Sequence, residues 1–357
     1  MKQQTSPILQ KELIEPILTW YRQNRRMLPW REGKEPYRIW ISEIMLQQTR
    51  IEAVIPYYHR FLEELPTVEA LANVPDDRLM KLWEGLGYYS RARNLKKAAI
   101  QTVNEHGGVL PPDFDALRRL SGIGDYTAGA IASIAYGLPE PAVDGNVLRV
   151  VMRLTGREDD IAQASTKKEV TEWLREIYPS GEDAGDLTEG IMELGEKICI
   201  PAGVPKCDEC PLREQCVARR DNTWSTLPKK SPKKERRTED HTVLILHCDG
   251  KIALRKRPKE GLLAGLWEFP SLSGKRSVQE IEELLQGKSL APEHIIPCGD
   301  ATHIFTHITW NMTGISVQCS LPSDEFFWFT PDELRRDVAI PTAFRFYLRY
   351  ILSNFDH

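Results

Sequence analysis

Leu120-Ser-Gly-Ile-Gly-Asp-Tyr-Thr-Ala-Gly129 is the stretch whose reading decides the fold. Phe114–Leu120 has helical character, the Gly-x-Gly pair makes a tight hairpin, and a second helix starts at once. Gly122 and Gly124 let the backbone approach a ligand closely. The new helix aims its unpaired amides and the positive end of its dipole outward. A helix–hairpin–helix of this kind grips a DNA phosphate without reading bases. An ordinary interhelical turn would use the same glycines, so the flanking sequence has to carry the rest of the case.

Outward from this motif, residues 8 to about 220 read as almost entirely helical. Ile8–Asn24 sets Leu9, Leu13, Ile14, Ile17, Leu18 and Tyr21 at helical spacing. Ser90 caps a helix that Gly107 and Gly108 stop, Asp76 caps another running to Trp83, and Lys167–Tyr178 and Asp186–Ile198 are further helices. No period-2 strand precedes residue 240. Thr223–Asp240 then turns polar, basic and proline-broken, with six basic residues among Lys229–Arg237, as a linker should be. Strands follow: Thr242–His247 and Lys251–Lys256 flank Cys-Asp-Gly, a hairpin turn, and Thr313–Ser320 and Phe326–Phe329 are strand-like. Helices over Val278–Gln286 and Pro341–Ser353 complete a mixed α/β module. The predicted organisation is multidomain: an all-α domain over 1–222, a linker over 223–238 and an α/β domain over 239–357.

The apolar runs are far too short to span a bilayer, and the N-terminus lacks the pattern of a secretory signal, which predicts a soluble, cytoplasmic chain. The net charge of −4, with a pI near 6.1, argues weakly against a nucleic-acid partner. DNA binding responds to the local field, however, and basic residues gather at Arg91–Lys97, Arg149–Arg157 and Lys229–Arg237. Four of the seven cysteines fall at Cys199-x7-Cys207-x2-Cys210-x5-Cys216. Without a secretory signal this spacing favours metal over disulfides, either an iron–sulfur cluster or structural zinc, and spacing alone does not choose between them.

Two carboxylates complete the pattern. Glu43, in Trp40-Ile-Ser-Glu-Ile-Met-Leu-Gln-Gln-Thr-Arg50, is the only ionisable residue between Trp40 and Gln48. Apolar surroundings raise a carboxyl pKa, which a general acid at neutral pH needs; taken alone, Glu43 fits an ordinary surface position on a helix equally well. Asp144, in Ala142-Val-Asp-Gly-Asn-Val-Leu-Arg149, starts a helix, where aspartate is most often simply a cap. The helix dipole would also keep it ionised. One carboxyl kept neutral and one kept charged is the division of labour that glycosidic cleavage uses.

These four features, in this order, resemble the helix–hairpin–helix DNA glycosylases with an iron–sulfur loop. Trp-Ile-Ser-Glu-Ile-Met-Leu-Gln-Gln-Thr and Val-Asp-Gly-Asn-Val look like the MutY-type adenine glycosylases, and the resemblance covers essentially the whole chain. It implies a monofunctional enzyme of bacterial base excision repair, nucleoid-associated and monomeric. Its partner would be double-stranded DNA holding an A:8-oxoguanine or A:G mismatch, and it would carry a 4Fe-4S cluster on Cys199, Cys207, Cys210 and Cys216. Glu43 would protonate adenine N7. Asp144 would stabilise the oxocarbenium-like sugar, by charge or through a transient covalent bond, with Tyr126 and Asn146 in support. Arg26, Trp30, Leu46 and Glu189 look like the adenine pocket, Gln48 and Tyr88 like the wedge entering the base stack, and Gly122 and Gly124 like the phosphate grip. Three departures from the family pattern stand out: Ser121 where proline is usual, seven residues rather than six between the first two cysteines, and Thr306 where serine is often found.

The C-terminal part resembles a Nudix-like domain, but the glutamate-rich segment that holds metal in a Nudix pyrophosphatase is absent after Pro270, so that activity is not expected. His303-Ile-Phe-Thr-His307 looks like a loop that reads 8-oxoguanine through Phe305, Thr306 and His307; on sequence alone it reads as a plain edge strand. Two rivals remain. An endonuclease III-like enzyme acting on oxidised pyrimidines would need a lysine where Tyr126 stands, since tyrosine cannot form a Schiff base. A non-catalytic DNA-binding iron–sulfur protein would have no reason to pair Glu43 with Asp144.

Overall fold

The structure, a computed structural model, describes residues 10–232, 235–286 and 290–354. Among them no strand precedes Arg237. The chain before that point forms helices at Ile14–Asn24, Pro36–Leu46, Ile51–Glu64, Val68–Asn73, Asp76–Leu82, Ser90–His106, Phe114–Arg119, Asp125–Ala130, Gly145–Thr155, Ala164–Ile177 and Glu182–Lys197. Asp113 caps the first helix of the hairpin motif by accepting from the Ala116 amide. The second helix continues into a π-helical turn, Ile131–Ala135, which the sequence did not announce; such turns widen the helix locally and often mark functional segments. Among the described residues no helix is long and apolar enough to cross a membrane.

The protein divides into two units at boundaries that differ from those the sequence suggested. The first comprises residues up to Asn73 together with Asn94–Pro232, and the second joins Val74–Arg93 to Lys233–His357. Thr223–Pro232 is not a free tether. The Leu227 side chain is buried, its carbonyl accepts from Arg153 Nε at 2.9 Å, and the Lys229 carbonyl accepts from the Ile161 amide at 3.1 Å. Lys233 and Lys234 lie outside the described residues, and Arg237 already belongs to a strand.

That strand, β1 (Arg237–Cys248), is central to a sheet completed by β2 (Lys251–Lys256), β3 (Trp267–Glu268), β4 (Ser271–Ser273), β5 (Pro292–Ile304), β6 (Ile308–Cys319) and β7 (Phe327–Phe329). The main order is β3-β2-β1-β6-β5, and β1 and β6 run parallel. Val243 and Ile245 of β1 pack on one side with Tyr347 and Ile351 of the Arg345–Asn354 helix. Leu244 and Leu246 pack on the other side with Ile281 and Leu285 of the Val278–Gln286 helix. Both faces are therefore apolar, which explains the continuous Val-Leu-Ile-Leu run. The expected hairpin is present, with Asp249 and Gly250 at φ +47° and +71° as a type I′ turn requires.

Strand β5 escaped the sequence reading. Pro297, Gly299 and Asp300 look like turn residues, yet they sit in an edge strand with register shifts at Pro292/His294 and Pro297/Gly299, where proline and bulges are tolerated. Phe305–His307 is the loop joining β5 to β6, closed by the Phe305 amide donating to the Ile308 carbonyl at 2.8 Å.

Candidate active site

The first unit holds a cavity of about 850 Å³. Glu43, Asp144, Tyr126, Asn146, Arg26, Trp30, Leu46, Glu189 and Gln48 all line it, although they come from five separate parts of the chain. Glu43 lies on the Pro36–Leu46 helix, where Tyr37 and every residue from Ile39 to Met45 are buried. It is 6% exposed, so the surface-helix alternative does not hold. Burial pushes its carboxyl up to about 7, with further upward pressure from Glu189 and Asp144, while a hydrogen bond from Tyr126 and the nearby Arg31 pull it down. The Tyr126 hydroxyl donates to Glu43 Oε2 at 2.7 Å.

Asp144 caps the Gly145–Thr155 helix. Its Oδ1 accepts from the Asn146 and Val147 amides at 2.8 Å each, and its Oδ2 accepts from Asn146 Nδ2 at 2.9 Å. The Asn146 amide cannot turn over freely, because its oxygen accepts from Arg149 Nη2 at 2.9 Å. Burial pushes the Asp144 carboxyl above the usual aspartate value, while the three donors and Arg149 favour its charged form and work against that rise. Desolvation outweighs the dipole because Asp144 sits on a cavity wall and not on an open helix end.

The opposite wall is built by one face of the Glu182–Lys197 helix. Glu189, Met192, Glu193 and Glu196 fall at i, i+3, i+4 and i+7, a spacing that could have been read from the sequence. Arg31, also missed, binds Glu189 at 3.1 Å and Glu193 at 3.1 Å. Tyr21 donates to Glu189. Arg26 binds Glu193 at 2.5 Å and also pairs with Glu196, so its guanidinium is already engaged by protein carboxylates. Trp30 is buried, edge-on to Tyr58 at 5.5 Å. Arg31 and Arg26 thus offset most of the charge of Glu189, Glu193 and Glu196, and the remainder, through Glu189, helps Glu43 keep its proton. Gly195 lets this helix approach the cap: a Cβ there would lie 2.8 Å from Asn146 Cβ. Gly195→Ala is therefore expected to displace Asn146, lower stability by about 1–3 kcal/mol and slow catalysis more than it lowers affinity, as read by melting and single-turnover rates.

In the hairpin, Gly122 has φ +76°, and a Cβ on it would lie 2.6 Å from Asn94 Cβ. Gly124 faces open space, and its residue begins the second helix without a side-chain cap. Gln48 and Tyr88 share an unusual trait, positive φ (+59° and +47°) in residues other than glycine, a strain of about 1–3 kcal/mol that clusters at functional positions. Gln48 is on the cavity rim. Tyr88 belongs to the second unit and exchanges a 3.0 Å hydrogen bond with Thr306. The Phe305 ring, half-buried, packs edge-on against His303 (4.5 Å) and Trp310 (4.9 Å). Thr306 and His307 are exposed.

The four cysteines Cys199, Cys207, Cys210 and Cys216 line one small pocket with Arg153 and Trp224. Among the described residues no three His, Cys, Asp or Glu side chains converge closely enough to share one ion. Four thiols lining one pocket are a donor set that a 4Fe-4S cluster or a structural zinc would take. Arg149 and Arg153, part of an expected basic surface, instead turn inward: Arg149 donates to the Cys199 carbonyl at 2.7 Å and Arg153 to Cys199 Sγ at 3.4 Å. The helix that Asp144 caps thereby leans on the cysteine loop.

A helix–hairpin–helix, a buried acid facing a capped aspartate, and a four-cysteine loop define a base-excision glycosylase fold. Residues 41–179 match the HhH-GPD superfamily of base excision DNA repair proteins, and residues 241–350 match the NUDIX domain. The helical part is similar to a thermostable thymine-DNA glycosylase (30% identity, TM-score 0.53, 59% of this chain and 96% of that one). It is also similar to endonuclease III in a trapped DNA covalent intermediate (26% identity, TM-score 0.51, 60% of this chain and 99% of that one). Over most of its length the chain is 32% identical to the adenine DNA glycosylase of Homo sapiens, covering 92% of this chain and 72% of that one. With that of Buchnera aphidicola subsp. Acyrthosiphon pisum the identity is 35%, covering 87% of each. The chain belongs to the adenine DNA glycosylase family.

Proposed function

We propose that the protein removes adenine from duplex DNA where it stands opposite 8-oxoguanine or guanine, by hydrolysis of the N-glycosidic bond. The observation that carries this is that Glu43 and Asp144 face one cavity from separate elements. A neutral carboxyl and a capped carboxylate suit the two ends of the scissile bond. Adenine is flipped into the cavity, at a cost of a few kcal/mol in unstacking. Glu43, its proton retained to about pH 7 and its orientation set by Tyr126, protonates N7 so that the base leaves neutral. Asp144, steadied by Asn146, stabilises the cationic sugar that forms, and water completes the hydrolysis. Trp30, Leu46 and Glu189 bound the base, with Arg26 and Arg31 fixing the acidic wall. Gly122 and Gly124 hold a phosphate, and Gln48 and Tyr88 occupy the gap in the stack.

The protein acts as a monofunctional glycosylase. Tyr126 is spent on Glu43, and Lys197, the lysine that lines the cavity, pairs with Glu193 at 3.8 Å and donates to the Asn24 carbonyl at 3.4 Å. Thr306 can accept from the N7–H of 8-oxoguanine, which guanine lacks, with His307 beside it and Phe305 supporting the loop from behind. Cys199, Cys207, Cys210 and Cys216 hold a 4Fe-4S cluster that stiffens the loop. The enzyme works as a monomer on chromosomal DNA in the bacterial cytoplasm.

Base release from A:8-oxoguanine, A:G and thymine-glycol duplexes, measured side by side, tests this. Free adenine from the first two is expected, without strand scission unless heat or alkali is applied. Release from thymine glycol, or efficient nicking by enzyme alone, would favour the endonuclease III-like reading. Iron with inorganic sulfide is the expected metal content of the purified protein, and a colourless zinc protein would refute the cluster.

A further inference from the structure

Lys81 and Glu84 belong to the segment that carries Tyr88, and the chemistry described above uses neither. Both hold other residues of the second unit. An ammonium has three donors, and Lys81 directs them to Glu84 Oε2 at 2.7 Å, the Leu334 carbonyl at 3.3 Å and the Val338 carbonyl at 3.0 Å. The other Glu84 oxygen accepts from the Ile340 amide at 2.7 Å. Both side chains are largely enclosed, 13% and 25% exposed. Lys81 thus satisfies carbonyls at and beyond the end of the Pro331–Arg336 helix, where backbone acceptors lack partners.

The path from this pair to Tyr88 is short and packed. Trp83 is fully buried, and its indole N–H donates to the Gly87 carbonyl at 3.1 Å. Arg91 lies over the Trp83 ring at 5.3 Å and donates to the Leu86 and Gly87 carbonyls at 3.0 and 3.2 Å. Tyr88 then meets Thr306 at 3.0 Å.

We propose that Lys81 and Glu84 are positioning residues that latch the Gly85–Tyr89 loop to the Leu334–Ile340 turn, so that the Tyr88 ring and the Thr306 hydroxyl meet DNA as one preformed surface. The proposal rests on the stack-entering role of Tyr88 and the lesion-reading role of Thr306 given above. Preorganising two groups removes an ordering cost, and the saving is realised in full only when both are used. Opposite 8-oxoguanine both are used. Opposite guanine there is no N7–H for Thr306, and the latch contributes less. Its signature is therefore lesion preference and not general activity.

The test is single-turnover adenine release by the full-length protein at subsaturating enzyme, on A:8-oxoguanine and A:G duplexes. Lys81→Met is expected to slow release opposite 8-oxoguanine about tenfold and opposite guanine less than twofold. Lys81→Arg, which keeps the charge and the donors, is expected to restore the preference. In a Thr306→Ala background Lys81→Met should add nothing further. Equal losses on both duplexes, or additive losses in the double variant, would overturn the latch. Should Lys81→Met fail to fold by its melting curve, Glu84→Gln serves instead, since it keeps an acceptor for the Ile340 amide and loses the charge and the acceptor that hold Lys81; unchanged lesion preference there also overturns the latch. A parent protein that released no adenine would instead refute the reading on which the latch rests.

Discussion

Asp144→Asn is expected to bind A:8-oxoguanine duplex within a few-fold of the parent and to release adenine slower by on the order of 10³-fold. The substitution keeps the shape and the cap. Asparagine is as good an N-cap as aspartate, and its oxygen can still accept from the Asn146 and Val147 amides. What changes is the second atom. An amide nitrogen would replace Oδ2 and face Asn146 Nδ2, donor against donor, and Asn146 is held in place by Arg149. The negative charge opposite the developing sugar cation is gone. Gel shift and single-turnover rates measured together separate the two effects, and near-normal turnover in the variant would remove Asp144 from the mechanism.

Glu43→Gln carries the second large effect, in two measurements that move in opposite directions. Adenine release should fall by about 10²–10⁴-fold, the usual worth of a positioned acid. In the parent, kcat/KM should decline as pH rises through about 7, where Glu43 loses its proton. Stability should rise in the variant. A carboxyl with a folded-state pKa near 7 and an ordinary value of 4.5 binds its proton more tightly when folded. The stability it contributes is complete below 4.5 and is lost as pH climbs through 7, a cost of about 3 kcal/mol above that window. Glutamine has no proton to lose, so the Tm gap in its favour should be wide at pH 8 and small at pH 5. A gap independent of pH would mean that Glu43 is ionised throughout.

The sequence made the helical half legible because its signals are local. The Gly122–Gly124 hairpin, the Asp144 cap and the apolar flanks of Glu43 each declare themselves within a dozen residues. The convergence of Glu43, Asp144, Tyr126 and Glu189 on one cavity came from family resemblance, since periodicity alone cannot say which helix faces meet. Strand β5 was hidden because an edge strand admits Pro297 and Gly299, residues that mark turns elsewhere. The membership of Val74–Arg93 in the second unit was invisible for a different reason. Lys81 and Glu84 look like an ordinary i,i+3 surface pair until their partners, some 250 residues away, are placed beside them. Arg149 and Arg153 misled in the same way, because basic composition cannot distinguish a phosphate-facing patch from side chains that tie a cysteine loop to a helix.

The proton transfer is tested most directly by changing its acceptor and not the enzyme. In a duplex carrying 7-deazaadenine opposite 8-oxoguanine, N7 is replaced by C–H and has nothing to receive the Glu43 proton. The parent protein is expected to bind this duplex about as well as the adenine duplex and to release no base, leaving parent and Glu43→Gln indistinguishable on it. Release of 7-deazaadenine at a rate near that of adenine would contradict the account, whatever the cavity looks like.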